Sequence, residues 1–187
     1  MQDLHQPSAL FCIRKALAET GRACQHATML TNLSVTSTDL EALRALNNAY
    51  AQELSDADAG HFNWLVEHAF FAASINGAEA LLIAFDQDAD YKSPNFLWFK
   101  QRFPKFVYVD RMATSAPARG RGHAISLYDA LFAAARAAGH TLIVCEVNEV
   151  PPNPASISLH MRFGFVKAGE AVLPGAEKTV GYLVKRL

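Results

Sequence analysis

Apolar residues recur at helical spacing over residues 38–54, where Leu40, Leu43, Leu46 and Tyr50 share one face behind a capping Thr38 or Asp39. A short strand over 33–35 precedes this helix. Two compact apolar runs, 69–75 and 80–85, flank Asn76-Gly77, the strongest short hairpin signal, and predict an antiparallel pair. Ser93-Pro94 suits a helix start and opens a short helix carrying Phe96, Trp98, Phe99 and Phe103. Residues 106–114 then alternate as a strand, with Tyr108, Asp110, Met112 and Thr114 on one face and Val107, Val109 and Arg111 on the other. A glycine turn leads into a helix over 123–138 with Ile125, Leu127, Tyr128, Leu131, Phe132 and Ala135 as its stripe, ended by Gly139. Next come a strand over 141–148, a proline-rich loop, a helix over 155–162 stopped by Gly164, and a closing strand over 180–185. The order predicts an α/β fold: a mixed, mostly antiparallel central sheet flanked by helices.

Composition narrows the function classes. The 187 residues suit one ordinary domain, half apolar and 19% charged. Seventeen basic residues against eighteen acidic leave no basic stripe of the kind nucleic acid attracts. No apolar run approaches the ~20 residues of a membrane-spanning helix. Cys12, Cys24 and Cys145 are odd in number and lack metal-ligand spacing, so the expectation is a reducing, cytoplasmic setting, no metal, and Cys145 as a small core residue. Residues 1–30 read as an appendage with a short amphipathic helix near 10–18, outside a domain spanning 31–187.

The segment richest in chemistry is the strand, glycine turn and helix over 107–138. A helix start leaves about four N–H groups without intrahelical partners, and the helix dipole favours an anion there. Gly120 and Gly122 let a phosphate approach the backbone, and Arg119 and Arg121 add charge. The turn lacks the Gly-Lys-Ser/Thr of a phosphate-binding loop of nucleotide triphosphatases. It also fails the GxGxxG spacing of dinucleotide folds.

Arg119-Gly120-Arg121-Gly122-His123-Ala124 matches the Arg/Gln-x-x-Gly-x-Gly/Ala signature of the GNAT superfamily of acyl-CoA N-acyltransferases. About 30 residues on, Asn153 through Ser156 and His160 to Gly164-Phe165 resembles that family's later motif. The resemblance covers roughly residues 31–187. Narrower stretches, Val107-Tyr108-Val109-Asp110-Arg111 and Val144-Cys145-Glu146-Val147-Asn148, look like an uncharacterised bacterial subgroup of predicted acetyltransferases. The resemblance implies a GNAT-like fold and acetyl-CoA as co-substrate. It implies pantetheine along the backbone near Met112 and Thr114, and pyrophosphate on the amides of Arg119, Gly120, Arg121, Gly122, His123 and Ala124. Asn153 and Ser156 match positions that often contact the CoA arm.

Acyl transfer to an amine needs a proton acceptor, a polarised carbonyl and a proton for the departing thiolate. Glu146 falls where several members of the family place a carboxylate base; its competing use is an ion pair with Arg111 or Arg162. His160 occupies the position that commonly carries a tyrosine acid, and is either that acid or a helix residue bonded to a carbonyl. Asp110 is the alternative carboxylate, for substrate orientation or a structural pair. Residues 86–105 are the acceptor-side candidate: aspartates for a cationic amine, and Tyr91, Phe96 and Trp98 as pocket walls or sheet packing. A homodimer contact through these aromatics is a further use. The leading expectation is an N-acetyltransferase acting on a small-molecule primary amine by direct attack on the thioester. Acylation of a protein α-amine or lysine, and a non-catalytic CoA-binding sensor, are the alternatives.

Overall fold

The computed structural model describes residues 28–173 and 178–187. The expected helix near 10–18, Cys12 and Cys24 lie outside the described residues.

Among the described residues seven strands form one sheet: β1 (Leu30–Asn32), β2 (Phe71–Ile75), β3 (Ala80–Asp86), β4 (Val107–Thr114), β5 (Leu142–Val150), β6 (Val166–Leu173) and β7 (Lys178–Arg186). Their order is β1-β2-β3-β4-β5-β7-β6. Every neighbouring pair is antiparallel except β4 and β5, which run parallel. The helices are α1 (Leu40–Asn48), α2 (Ala51–Leu54), α3 (Ala59–Glu67), α4 (Pro94–Lys100), α5 (His123–Ala137) and α6 (Pro154–Arg162). Among the described residues no helix is long and apolar enough to cross a membrane.

Two apolar layers sandwich the sheet. One gathers Leu43 and Leu46 of α1, Phe62 and Leu65 of α3, and Phe96 and Phe99 of α4 against Leu81, Ile83, Tyr108 and Val144. The other packs Leu127, Tyr128 and Leu131 of α5 against Leu82, Ala84, Val107 and Ile143. β3 is continuously apolar because it is buried on both faces. Cys145 is a buried free thiol of the second layer.

Several expectations need correction. The first strand lies at Leu30–Asn32 rather than 33–35. The helix expected to run to residue 54 breaks at Ala49–Tyr50, and the Asp39 side chain makes no cap bond. Ile125 is 40% exposed, and the buried His123 takes a place on that helix's inner face instead. Two elements lie beyond those the sequence pattern predicts. α3 is capped by Asp58, whose Oδ1 accepts from the His61 N–H at 2.7 Å; Phe62, Leu65 and Val66 are its buried face. β6 is an edge strand exposed along much of its length, so it carries little apolar alternation.

The largest correction concerns β4. Ile83 pairs with Arg111 but Ala84 pairs with Val109, so Asp110 is an extra residue in the ladder. Such a bulge reverses the in-out alternation beyond it. Met112 consequently joins the α5 layer with Val107 and Val109, whereas Arg111 and Ala113 face the α1 side with Tyr108.

Candidate active site

β4 and β5 pair only through Val107–Ile143 and Tyr108–Val144. Beyond that point the strands part, and the β5-facing edge of β4 from Val109 to Thr114 has no ladder partner among the described residues. Met112 and Thr114 therefore lie on an open backbone edge able to pair with an extended ligand. Their other side is held by β3, through Leu82 and Ala80. The Thr114 carbonyl also accepts from the Tyr50 hydroxyl at 3.0 Å.

The glycine turn sits just past the end of β4. Gly120 and Gly122 have φ of +78° and +84°, and a Cβ on either would meet nothing within 4 Å. The left-handed backbone suits glycine, and the open space leaves room for a phosphate. Among the described residues, no protein acceptor bonds the amides from Gly120 to Ile125; the first bonded one is Ser126, to the Gly122 carbonyl at 3.1 Å. The Arg119 guanidinium lies 5.2 Å from the Tyr50 ring. Arg121 reaches Glu79 at 3.3 Å. His123 is 4% exposed, with Nε2 2.8 Å from Glu79 and Nδ1 buried without a partner among the described residues. Glu79 thus braces the turn from the β2–β3 hairpin. These features fit the phosphates and pantetheine arm of an acyl-CoA.

On the α1 side of the parted strands lies a partly open cavity of roughly 90 Å³, bordered by Glu146, Asn148, Asp110, Arg111, Tyr91 and Asn95, among others. Glu146 Oε1 accepts from the Asn95 amide at 2.9 Å and from the Tyr108 hydroxyl at 3.0 Å. Oε2 is shielded from solvent and has no partner among the described residues. Burial, reinforced by the Asp110 charge, pushes the Glu146 carboxyl up to about 7. A carboxyl that titrates near neutrality with one oxygen uncommitted can take up and release a proton.

Arg111 is not paired with Glu146. It bonds Asp110 at 2.7 Å, both side chains being buried. It also donates to the carbonyls of Leu54 and Ser55 and to Asn47 Oδ1. Lys178 Nζ adds a bond to the Gln52 carbonyl at 2.9 Å. The bulge and these cations tie the end of α2 over the cavity. Asp110 further accepts from the Tyr91 hydroxyl at 2.9 Å.

The remaining sequence candidates scatter. Phe96 is fully buried in the core and cannot wall a pocket. Trp98 stacks on Tyr182 at 4.1 Å and does not line the cavity. Tyr91 alone of the three aromatics borders it. It also borders an open hollow of about 410 Å³ with His61, Trp64, Asp90, Lys92 and Ser93. Asn153 caps α6, its Oδ1 accepting from the Ser156 N–H at 3.1 Å. His160 is buried, and desolvation holds its imidazole below the usual range. Its Nδ1 lies 2.7 Å from the Ser156 carbonyl, which can only accept, so Nδ1 carries the proton. Nε2 then accepts from the Tyr128 hydroxyl at 2.7 Å. Asn95, Tyr108 and Tyr182 were not singled out for the site; only the Ser-Pro start, which places Asn95 on the first turn of α4, hinted at the first.

In the solved structures, NAA60 of Arabidopsis thaliana bound to acetyl-CoA aligns with a TM-score of 0.65 at 13% identity, covering 85% of this chain and 100% of that one. An N-acetyltransferase from Staphylococcus aureus Mu50 aligns with a TM-score of 0.62 at 20% identity, covering 85% and 98%. An agmatine N-acetyltransferase gives 0.62 at 17% identity, covering 86% and 99%. At such identities the likeness is one of fold. No curated protein matches in sequence. The model of the acetyltransferase (GNAT) family, however, matches residues 40–165, most of the chain and both motif segments up to Phe165. The parted strands, the open glycine turn and this match agree, and the chain belongs to the GNAT family as an acyl-CoA-dependent N-acetyltransferase.

Proposed function

We propose that the protein acetylates the primary amine of a small molecule, with acetyl-CoA as donor and Glu146 as general base. The observation that carries this reading is Glu146 Oε2: buried, unbonded among the described residues, and part of a carboxyl titrating near 7 on the wall of the cavity. A cavity of roughly 90 Å³ is of a size to take an amine head group. The hollow that shares Tyr91 and Ser93 with it would give room for the rest of a small acceptor. Tyr91 and Asp110 would orient that acceptor.

The backbone edge at Met112 and Thr114 would hold the pantetheine arm, with Asn153 and Ser156 beside it at the start of α6. The amides from Arg119 to Ala124 would hold the phosphates. Acetyl-CoA supplies the activated thioester. Glu146 Oε2 takes one proton from the acceptor ammonium, whose own affinity for it falls on burial. The freed nitrogen attacks the acyl carbon; a C–N bond forms and the C–S bond breaks. The second proton lost from nitrogen balances the departing thiolate, directly or through water. His160 would serve as acid only if the Tyr128 hydroxyl released its Nε2.

The test is a screen of small amines with released thiol as readout, followed by Glu146→Gln. A lost general base lowers kcat/KM by about 10²–10⁴, while the stabilisation conferred by acetyl-CoA stays unchanged. Undiminished turnover in the variant would remove Glu146 from the role. Turnover of peptides but of no small amine would move the acceptor class to proteins.

A further inference from the structure

Helix α4 brings one polar side chain into the interior beside the site. Asn95 is 9% exposed, and the two ends of its amide serve different partners. Nδ2 donates to Glu146 Oε1 at 2.9 Å, and Oδ1 accepts from the Tyr182 hydroxyl at 3.1 Å. Chemistry sets the direction of this chain. An ionised carboxylate only accepts, so the amide must turn its NH₂ towards Glu146 and its oxygen towards a donor. Tyr182 is that donor, and it lies directly across the β5–β7 ladder from Glu146.

The tyrosine is itself held in place by α4. Trp98 stacks on its ring at 4.1 Å and Phe99 meets it edge-on at 5.2 Å. Trp98 can lie so close to β6 because position 169 is glycine; a Cβ there would come within 2.6 Å of the indole. One short helix thus supplies the amide and two of the rings that fix the amide's donor.

We propose that Tyr182 and Asn95 are positioning residues for the base, forming a relay that occupies Glu146 Oε1 and turns Oε2 to the acceptor. The proposal rests on the reading of Glu146 as base. A donor to the carboxylate favours its ionised form. The relay therefore opposes the burial that pushes Glu146 up, and keeps it deprotonated nearer to neutral pH. The other titratable or charged groups facing Glu146 are Tyr108, Asp110 and Arg111 from β4, Lys178 from β7 and Tyr91 ahead of α4. Glu53 of α2 lines the same cavity, and Tyr128 of α5 approaches from the opposite face. Of all these, Tyr108 is the one that bonds Oε1, so removing Asn95 leaves that oxygen a single donor among the described residues.

The experiment is the pH profile of kcat/KM for wild type, Asn95→Leu and Tyr182→Phe. The expected result is a movement of the acid limb to higher pH. About one pH unit for Asn95→Leu would mean roughly tenfold less activity below the limb. Tyr182→Phe should show a smaller movement in the same direction. Above pH 9 both variants should return to within about threefold of wild type, which a merely structural lesion would not allow. A pH-independent loss with the limb unmoved overturns the proposal. If Asn95→Leu does not fold, Tyr182→Phe carries the same test alone.

Carbon-13 NMR of the Glu146 carboxyl gives a readout that needs no turnover. A higher titration midpoint in the variants supports the relay even if no amine is acetylated, an outcome that would defeat the enzyme reading instead. An unmoved midpoint, alongside turnover that requires Glu146, would sink the relay and leave the base in place.

Discussion

Replacing Glu146 with Gln should make the protein more stable as pH rises, although it removes the group that does the chemistry. The folded carboxyl titrates at about 7, against 4.5 for the ordinary group. A raised acid means that the unfolded chain loses its proton first. Below pH 4.5 both states hold the proton and the site costs nothing. Between 4.5 and about 7 the unfolded state gains the benefit of ionisation and the folded state does not, so wild-type stability falls. Above about 7 the full penalty is present. At ~1.4 kcal/mol per pH unit, the interval is worth about 3 kcal/mol. Gln has no such titration. Its amide nitrogen in place of the unbonded Oε2 is a cost of the same size at every pH, and so drops out of the comparison. For a domain of this length the gain corresponds to roughly 6–12 °C in Tm. The assay is thermal unfolding of both proteins at half-unit steps from pH 4.5 to 8, read as the difference in Tm. That difference should grow in favour of the variant and level off above about pH 7. A difference flat to within about 2 °C across the range would refute the raised carboxyl of Glu146, and with it the tuning on which the base role depends.

Gly122→Glu should abolish the thermal stabilisation conferred by acetyl-CoA. A side chain and a negative charge would enter the open space above a +84° backbone, and undiminished affinity would misplace the phosphate seat. Arg111→Met should cost about 3–5 kcal/mol, because it strands the buried Asp110 and frees the carbonyls of Leu54 and Ser55. Equilibrium urea unfolding reads this directly, and a loss below about 1 kcal/mol would contradict the burial of the pair. His160→Phe should lower stability by about 1–3 kcal/mol by leaving the Tyr128 hydroxyl unpaired. Acetyl transfer should persist; a hundredfold fall in kcat with the fold intact would restore His160 as the acid.

What the sequence determined by itself is local. Asn76 and Gly77, both at positive φ, make the hairpin turn; Pro94 opens α4; Asn153 caps α6; and two glycines precede the α5 amides. Each depends on backbone preferences of a few consecutive residues, which is why the glycine turn before α5 was legible from spacing alone. Glu146 was legible as a candidate through the family resemblance, which places a carboxylate at that point of the strand. Its environment was not. Its donors lie 51 residues away on α4 and 38 away on β4, and only the folded sheet brings them together. The bulge at Asp110 was equally hidden. Alternation along β4 has no local sign of one extra residue, yet that residue decides which side chains face the cavity and turns Arg111 to the side of Glu146, where Asp110 and the carbonyls of Leu54 and Ser55 take its bonds. β6 failed to announce itself because an exposed edge strand has no face that must be apolar. The partner of His160 Nε2 was likewise left to tertiary structure, since it is a tyrosine 32 residues earlier on another helix. Turn and helix-end chemistry is written in neighbours along the chain, whereas burial, pairing and pKa belong to neighbours in space.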